Sequence, residues 1–453
     1  MNIKQAKQEI TNTLKAYLAK DQLGNYLIPT VRQRPVLLMG PPGVGKTQIM
    51  EQIAAETGVG LVAYTITHHT RQSAIGLPFI EKRTYGGEEV SVTEYTMSEI
   101  LSSVYRLMER TGLQEGILFL DEINCVSETL APMMLQFLQC KTFGNQALPE
   151  GWLIVAAGNP PEYNKSVRDF DVVTLDRVKR IDVEEDYGVW KEYARRKNLH
   201  GAIRSYLDIK KDNFYRIENT ADGLQFATAR GWEDLSELLY AYETLGIRAD
   251  REVVGQYIQM PRIAKDFANY LEMFYKYQKT YHVEGILSGT WENITVLELR
   301  EAPFDEKLSV MGLVLSRLSE EARNTRCQDA LTDALHTSLT EFREKIADAP
   351  PLTVLDQLLW KRRTAMKQAK EAGQLDKESR DLKQREINAL EDYRQQLDRE
   401  AVAPEGAMDA VRGWFGEEVE RRKAMAMETK DMFDNAFRFL ETTFGDSQEL
   451  VIF

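Results

Sequence analysis

The chain has 453 residues, about three times the length of an ordinary single domain, so we expect two or three domains. Hydrophobic residues make up 43% and charged residues 28% of the sequence, and apolar runs are short, which excludes a membrane-spanning helix and a wholly disordered chain. The 57 basic and 70 acidic residues leave a net charge of -13, which argues against a nucleic-acid coat or an anionic-membrane binder, although a local basic channel stays open.

The N-terminal segment predicts a helix and an intracellular location. Residues 1–20 contain no apolar core of the secretory type, so we expect a cytoplasmic protein. Their apolar side chains recur with helical spacing, which predicts one amphipathic helix over residues 1–23, ending at the Gly24-Asn25 turn. The three cysteines are far apart and form no C-x-x-C pair, so neither a disulfide framework nor a zinc cluster is indicated.

From Arg34 onward, short apolar runs alternate with helical segments. Runs that are apolar throughout are typical of strands buried on both faces. The pattern therefore predicts an α/β fold in which a parallel sheet is sandwiched between helices. The predicted strands cover residues 35–39, 60–66, 116–120 and 152–157.

A hairpin, a small turn unit and a long helical region complete the predicted architecture. Residues 79–95 carry Gly86-Gly87 between alternating segments, which predicts a charged β-hairpin that projects from the α/β core of residues 1–185. A smaller turn unit is predicted at residues 141–149. After Asp182 no buried-strand run recurs, so the remainder is expected to be helical. Its three predicted parts are residues 186–278, residues 279–350 and a charged helical hairpin at residues 351–453.

A glycine-rich segment follows the first predicted strand and precedes a helix expected over residues 48–57. It matches G-x-x-x-x-G-K-[ST], a pattern that binds nucleotide phosphates because its turn aims backbone N–H groups at their oxygens. In this pattern Lys46 neutralises the β and γ phosphates, and the Thr47 hydroxyl binds the Mg²⁺ that bridges the same oxygens. The residues predicted to hold ATP are Gly40, Pro41, Pro42, Gly43, Val44, Gly45, Lys46, Thr47 and Gln48.

Polar side chains follow two of the other predicted strands. Asp121 and Glu122 end one strand, where Asp121 is predicted to hold Mg²⁺ and Glu122 to activate the attacking water. Alone, such a pair is more often a solvated strand end, but the phosphate-binding pattern favours the functional interpretation. Asn159 follows the next strand and is a candidate partner of the γ phosphate or the water; a plain Gly-Asn-Pro turn is an equal alternative.

Taken together, these motifs resemble those of the AAA+ ATPases, and the chain looks most like the MoxR-type branch. The similarity extends over roughly residues 25–275, with its motifs in the expected order. Besides the glycine-rich segment and the inserted hairpin, it rests on Asp121-Glu-Ile-Asn124, Gly158-Asn-Pro160, Leu175-Asp-Arg177 and Ala227-Thr-Ala-Arg-Gly-Trp232.

The resemblance implies ATP hydrolysis in a ring, commonly a hexamer, with nucleotide bound between neighbouring subunits. Arg177 then becomes the finger that reaches the neighbour's site, although Arg180, three residues further on, is an alternative. Residues 186–278 become a helical lid, and Arg230 its second sensor. Many relatives carry S-P-R at the lid motif, and this chain departs from that pattern with Thr228-Ala-Arg230.

The resemblance also implies what the energy of hydrolysis is used for. MoxR-like proteins are usually paired with a protein that carries a von Willebrand factor A domain, and they are thought to remodel or mature protein complexes. Residues 79–95 and 351–453 are the candidate contact surfaces, with a stabilising flap and a ring-packing element as alternatives. A nucleic-acid motor is a second hypothesis, but Lys82 and Arg83 are matched by acidic neighbours. A nucleotide-dependent assembly switch is a third.

Overall fold

The computed structural model describes residues 1–68, 72, 74, 76–163, 167, 170–220, 223–375 and 377–445. The chain divides into two compact units, one formed by Met1–Asp186 and Thr364–Arg380 and the other by Tyr187–Arg363 and Asp381–Phe453. The four-part division expected from the sequence stays a prediction. Among the described residues, no helix combines the length and the apolar character needed to cross a membrane.

A five-stranded parallel sheet forms the centre of the first unit. In chain order, the strands of this unit are β1 Val36–Met39, β2 Gly60–Thr65, β3 Pro78–Tyr85, β4 Glu88–Tyr95, β5 Gly116–Asp121, β6 Thr142–Phe143, β7 Gln146–Ala147, β8 Trp152–Gly158 and β9 Lys179–Asp182. The sheet has the order β2-β5-β8-β1-β9, and every pairing in it is parallel. The four predicted strands are confirmed. Strand β9 was not predicted because it lies at the edge and buries only Ile181.

Helices cover both faces of this sheet, which confirms the predicted α/β fold. They are α1 Ile3–Leu18, α2 Lys46–Thr57, α3 Glu99–Thr111, α4 Ala131–Cys140 and α5 Val172–Leu175. Successive residues of a strand point to opposite faces of the sheet. Leu37, Leu118 and Ile154 are buried in the hydrophobic cluster on one face, whereas the residues next to them in each strand are buried in the cluster on the opposite face. Burial on both faces explains why these strands are apolar throughout.

Helix α1 is shorter than the predicted span of residues 1–23. It begins after Asn2, whose side chain accepts a hydrogen bond from the Gln5 N–H in a capping box, and it ends at Leu18. The carboxylate of Asp21 accepts backbone N–H groups of Leu23 and Asn25, at 2.8 and 2.9 Å. This local turn competes with helix formation and stops the helix early.

The predicted hairpin and the smaller turn unit of the first unit each contain an antiparallel strand pair. Strands β3 and β4 pair antiparallel from Pro78 opposite Tyr95 to Tyr85 opposite Glu88. Gly86 and Gly87 close the turn with φ of 61° and 93°, values that glycine adopts without a Cβ clash. Strands β6 and β7 form a two-residue ladder within the smaller predicted turn unit.

Residues 371–375, named here the edge turn, belong to the first unit although they are distant in sequence. The carbonyl of Ala372 accepts the Leu61 N–H at 3.2 Å, and the side-chain amide of Gln374 donates to the Val59 carbonyl at 3.2 Å. Gly373 has φ of 70°, and a Cβ there would lie 3.3 Å from the Leu61 Cβ. The edge turn therefore covers the start of edge strand β2, which would otherwise present unpaired backbone groups.

The chain after residue 186 is mostly helical. Its described helices are α6 Tyr187–Arg196, α7 Gly201–Ile209, α8 Ala229–Leu245, α9 Arg251–Tyr257, α10 Pro261–Thr280, α11 Val283–Leu287, α12 Asn293–Glu301, α13 Phe304–Lys345, α14 Pro351–Glu371, α15 Lys377–Arg399 and α16 Ala407–Phe444. Tyr206, Trp232 and Phe267 are fully buried in the core of the second unit.

Two expectations for this region were wrong. Strands β10 Arg216–Thr220 and β11 Gly223–Ala227 form an antiparallel pair in a region expected to be helical. They were missed because only Ala227 is buried, so no apolar run marks them. In the described part of the tail, residues 351–375 and 377–445, the chain forms helices α14, α15 and α16 rather than a two-helix hairpin, because it turns at Gly373 between α14 and α15.

Candidate active site

The carboxyl ends of strands β1, β5 and β8 lie side by side at one edge of the sheet. Chain segments that leave parallel strands at this edge are where α/β folds bind ligands. The loop after β1 carries the glycine-rich segment, the turn after β5 carries Glu122, and the turn after β8 carries Asn159. The fold therefore brings together the three segments that the sequence singled out.

The glycine-rich loop has the backbone shape that an anion site requires. Gly45 has φ of 92° and stands directly before α2, whose first residue is Lys46. A Cβ on Gly40 would lie 2.6 Å from the Val183 carbonyl oxygen, so only glycine fits there. Because the first N–H groups of a helix have no partner within the helix, the loop and the start of α2 can bind phosphate oxygens.

Lys46 connects the glycine-rich loop with Asn159. Its ammonium group donates hydrogen bonds to the carbonyls of Gly40 at 2.6 Å and Pro41 at 2.9 Å. It also donates to Asn159 Oδ1 at 2.8 Å. Lys46 is only 8% exposed, so its charge is held inside the loop, close to where phosphates would lie. The side chain of Asn159 therefore faces the loop.

Thr47 and Asp121 form a pair of oxygen groups beside the loop. The Thr47 hydroxyl donates a hydrogen bond to Asp121 Oδ2 at 2.9 Å. The other carboxylate oxygen of Asp121 accepts the Glu122 N–H at 3.0 Å. A hydroxyl and a carboxylate are the kind of oxygen ligands that Mg²⁺ prefers, so these two residues fit the predicted metal role.

Glu122 has an unusual backbone and a partner that the sequence did not reveal. Its φ of 56° is rare for a residue with a side chain, and such strain clusters at functional sites. The Thr67 hydroxyl donates a hydrogen bond to Glu122 Oε2 at 2.8 Å. In the parallel register, Thr65 lies opposite Asp121. Thr67 and Glu122 each follow one member of this pair, so knowledge of the strand register would have predicted that they lie close together.

The two candidate finger residues make different contacts. Arg177 follows α5, is exposed, and donates a hydrogen bond to Gln139 Oε1. Arg180 lies on β9 and pairs with the Asp182 carboxylate at 2.8 Å. The Asp171 carboxylate caps α5, and hydrogen bonds from the Thr174 hydroxyl and N–H, helped by the charge of Arg177, hold the pKa of Asp171 below its usual value.

The predicted second sensor lies in the second unit. Arg230 is exposed in the first turn of α8, and Thr228 caps this helix by accepting the Gly231 N–H at 3.3 Å. The Thr228-Ala229-Arg230 segment therefore acts as a regular helix start. The sensor role of Arg230 stays a prediction.

Fold and site together define a P-loop nucleotide-binding protein. Residues 35–178 match the family model described as AAA domain, dynein-related subfamily. This segment contains the glycine-rich loop, Asp121, Glu122, Asn159 and Arg177. Residues 35–178 therefore form an AAA domain, which marks the chain as a P-loop ATPase and thus as a hydrolase.

Beyond this family match, the chain has a distant likeness to a solved structure. No curated protein matches the sequence. Among the solved structures, a mutant RuvB of Thermotoga maritima is similar, with 15% sequence identity and a TM-score of 0.28. The alignment covers 62% of this chain and 64% of that chain, so this chain spans less than two thirds of the length of that protein.

Proposed function

We propose that this chain is a MoxR-like AAA+ ATPase that works in a ring, commonly of six subunits, and uses ATP hydrolysis to remodel or mature a partner protein complex. The observation that carries the proposal is the convergence of Lys46, Thr47, Asp121 and Asn159 at one sheet edge, joined by hydrogen bonds of 2.8 and 2.9 Å. Glu122 lies directly beside this group.

Phosphate binding follows from the contacts of the loop. On binding, Lys46 exchanges its hydrogen bonds to the Gly40 and Pro41 carbonyls for oxygens of the β and γ phosphates. Backbone N–H groups of the loop and of the start of α2 bind the remaining oxygens. The Thr47 hydroxyl and the Asp121 carboxylate would hold Mg²⁺, which supplies positive charge to the phosphates when bound.

The hydrolytic step is assigned to Glu122 and Asn159. Glu122 accepts a proton from the attacking water, and the Thr67 hydroxyl holds its carboxylate with a hydrogen bond of 2.8 Å. Asn159, whose side-chain oxygen faces Lys46, uses its amide to orient the water or the γ phosphate.

A neighbouring subunit is proposed to complete the site. Arg177 stands just after α5, where Val172 is 81% exposed and Val173 is also exposed. Exposed apolar side chains beside an exposed arginine fit a surface that a second copy covers. Arg180 is the weaker candidate because Asp182 on its own strand already neutralises it. Arg230 is proposed as the sensor on the helical lid.

The surface of the β3–β4 hairpin supports a protein partner rather than a nucleic acid. Ile80 is 77% exposed, and Phe79, Tyr85 and Val90 are also exposed, which is typical of protein contact sites. The basic side chains are paired: Lys82 with Glu89 at 3.4 Å, and Arg83 with Glu81 at 3.0 Å and with Glu94 at 3.2 Å. A partner with a von Willebrand factor A domain fits this proposal.

ATP turnover with different macromolecules tests the proposal. Casein, an unstructured protein, is expected to stimulate turnover by the intact chain, whereas DNA and RNA at low salt are not. Ile80→Ser is expected to weaken stimulation by casein, and Lys82→Ala on the same hairpin serves as its control. Strong stimulation by nucleic acid that Lys82→Ala abolishes would contradict the proposal and favour a nucleic-acid motor.

A further inference from the structure

Asn124 is buried between the turn that carries Glu122 and the turn that carries Asn159. It is only 3% exposed. The turn is tied to β8 because the Ile123 N–H donates to the Ala157 carbonyl at 2.9 Å. Neither the phosphate-binding loop nor the proposed hydrolytic step involves Asn124 directly, so the burial of this amide needs its own explanation.

The Asn124 amide holds the Asn159 backbone. Its Nδ2 donates a hydrogen bond to the Asn159 carbonyl at 2.8 Å. The amide also packs flat on Gly158, since a Cβ there would lie 2.6 Å from Asn124 Oδ1 and 3.1 Å from Nδ2. Gly158 is therefore required for this contact, and the Asn159 peptide is fixed from the side of the Glu122 turn.

The two ends of Asn159 are thus held by different elements. Asn124 holds its carbonyl, while Lys46 donates to its side-chain oxygen at 2.8 Å. In addition, the Gly158 carbonyl accepts the Gly40 N–H at 3.3 Å. A continuous set of contacts therefore joins the Glu122 turn, the Asn159 turn and the glycine-rich loop.

The oxygen of the Asn124 amide, Oδ1, shows that stability alone does not explain this residue. Among the described residues, none donates a hydrogen bond to the buried Asn124 Oδ1. A buried polar atom without a partner destabilises the folded state. Residues that lower stability in this way are typical of functional sites.

We propose that Asn124 is a positioning residue for ATP hydrolysis, which fixes the Asn159 side chain relative to Glu122. The inference rests on the proposed roles of Glu122 and Asn159. Without the Asn124 amide, the Asn159 turn moves, and the amide no longer aligns with the water or the γ phosphate. Nucleotide binding is retained because the residues of the glycine-rich loop are unchanged and Lys46 keeps its hydrogen bonds to the Gly40 and Pro41 carbonyls of that loop.

A double-mutant cycle in the full chain separates positioning from simple stabilisation. Asn124→Ala is expected to lower kcat by about tenfold or more, since misplacement by about 1 Å can reduce turnover ~100-fold. Its Kd for ATP is expected to stay unchanged. In the Asn159→Ala background, the same substitution is expected to lower kcat no further. Thermal unfolding is measured for every variant, with Ile123→Val as a control that alters packing in the same turn without altering kcat.

A second variant approaches the contact from the opposite side. Gly158→Ala places a methyl group against the Asn124 amide, so it is expected to reproduce the loss of kcat with an unchanged Kd. Full kcat in both Asn124→Ala and Gly158→Ala would overturn the inference. So would equal losses from Asn124→Ala in both backgrounds, since a purely structural role predicts them. If Asn159→Ala itself keeps full kcat, the proposed role of Asn159 fails instead.

Discussion

The hydroxyl of Thr67 donates a hydrogen bond to the carboxylate of Glu122 at 2.8 Å. The two residues are distant in sequence, and they meet because β2 and β5 are neighbours in the sheet. Thr67 lies just beyond the end of β2, the edge strand whose start is covered by the edge turn. The carboxylate proposed as the base is therefore held by a residue that follows β2, whereas Glu122 itself follows β5.

Releasing this hydrogen bond is expected to change turnover without changing nucleotide affinity. In Thr67→Val, Glu122 loses a donor that stabilises and restrains its carboxylate, so the carboxylate is freer to accept a proton from water. A hydrogen bond worth about 1 kcal/mol corresponds to a rise in basal kcat of about fivefold. Steady-state kinetics and an ATP binding measurement check this, with Thr65→Val on β2 as the control. A fall in kcat would show that Thr67 aligns the base instead.

Glu122→Gln is expected to bind ATP and hydrolyse it poorly. The amide keeps the shape of the side chain but does not take a proton, and general-base catalysis contributes about 100-fold or more. Single-turnover hydrolysis and equilibrium binding separate the two effects. An equal loss of binding would show that Glu122 has a structural role.

The sequence revealed the parts of the site that local patterns define. The apolar runs of β1, β5 and β8 predicted their strands, and the spacing of glycine, Lys46 and Thr47 predicted the loop. Thr67 and Asn124 escaped prediction because their partners are set by strand order and register, which no local pattern contains. Strands β9, β10 and β11 escaped because each buries a single side chain at most.

The buried Lys141 is expected to make stability depend on pH. Burial lowers the pKa of Lys141 from 10.5 to about 8, while its ammonium group donates to the Thr30 carbonyl at 2.9 Å. The unfolded chain therefore binds the proton more tightly, and stability rises with pH between the two pKa values and is constant below them.

Lys141→Met removes this dependence. We compare the free energy of unfolding of the variant with that of the natural chain at each pH. The variant's value minus the natural chain's value is expected to be larger at about pH 7 than at about pH 9.5, by about 2 kcal/mol, as the pKa difference requires. Urea unfolding at both pH values measures the change, and the exposed Lys15→Met is the control. A stability difference that is independent of pH would contradict the burial of a charged Lys141.

The edge turn is expected to stabilise the first unit. Gly373→Ala forces a side chain onto a left-handed backbone at φ of 70° and against Leu61, which is expected to destabilise the fold by about 1 to 2 kcal/mol. Gly413→Ala in α16 is the matched control. A Cβ there meets no atom, and alanine favours a helix over glycine by about 1 kcal/mol. Equal urea midpoints for Gly373→Ala and the natural chain would show that the edge turn adds no stability.

If neighbouring subunits complete each hydrolytic site, two inactive variants are expected to complement each other. Lys46→Ala lacks phosphate binding but keeps Arg177, whereas Arg177→Ala keeps phosphate binding but lacks the finger. Mixed subunits pair an intact loop with an intact arginine, so turnover returns at their shared sites. Arg180→Ala in place of Arg177→Ala is the control and is expected to keep its own turnover.

The most direct measurement is ATP turnover per chain across a wide range of protein concentration, for the natural chain, for Arg177→Ala and for the mixture. Sites shared between subunits predict a steep rise with concentration for the natural chain, no rise for Arg177→Ala, and restored turnover when Lys46→Ala is mixed with it. Turnover per chain that is independent of concentration and unaffected by Arg177→Ala would show instead that each chain hydrolyses ATP alone.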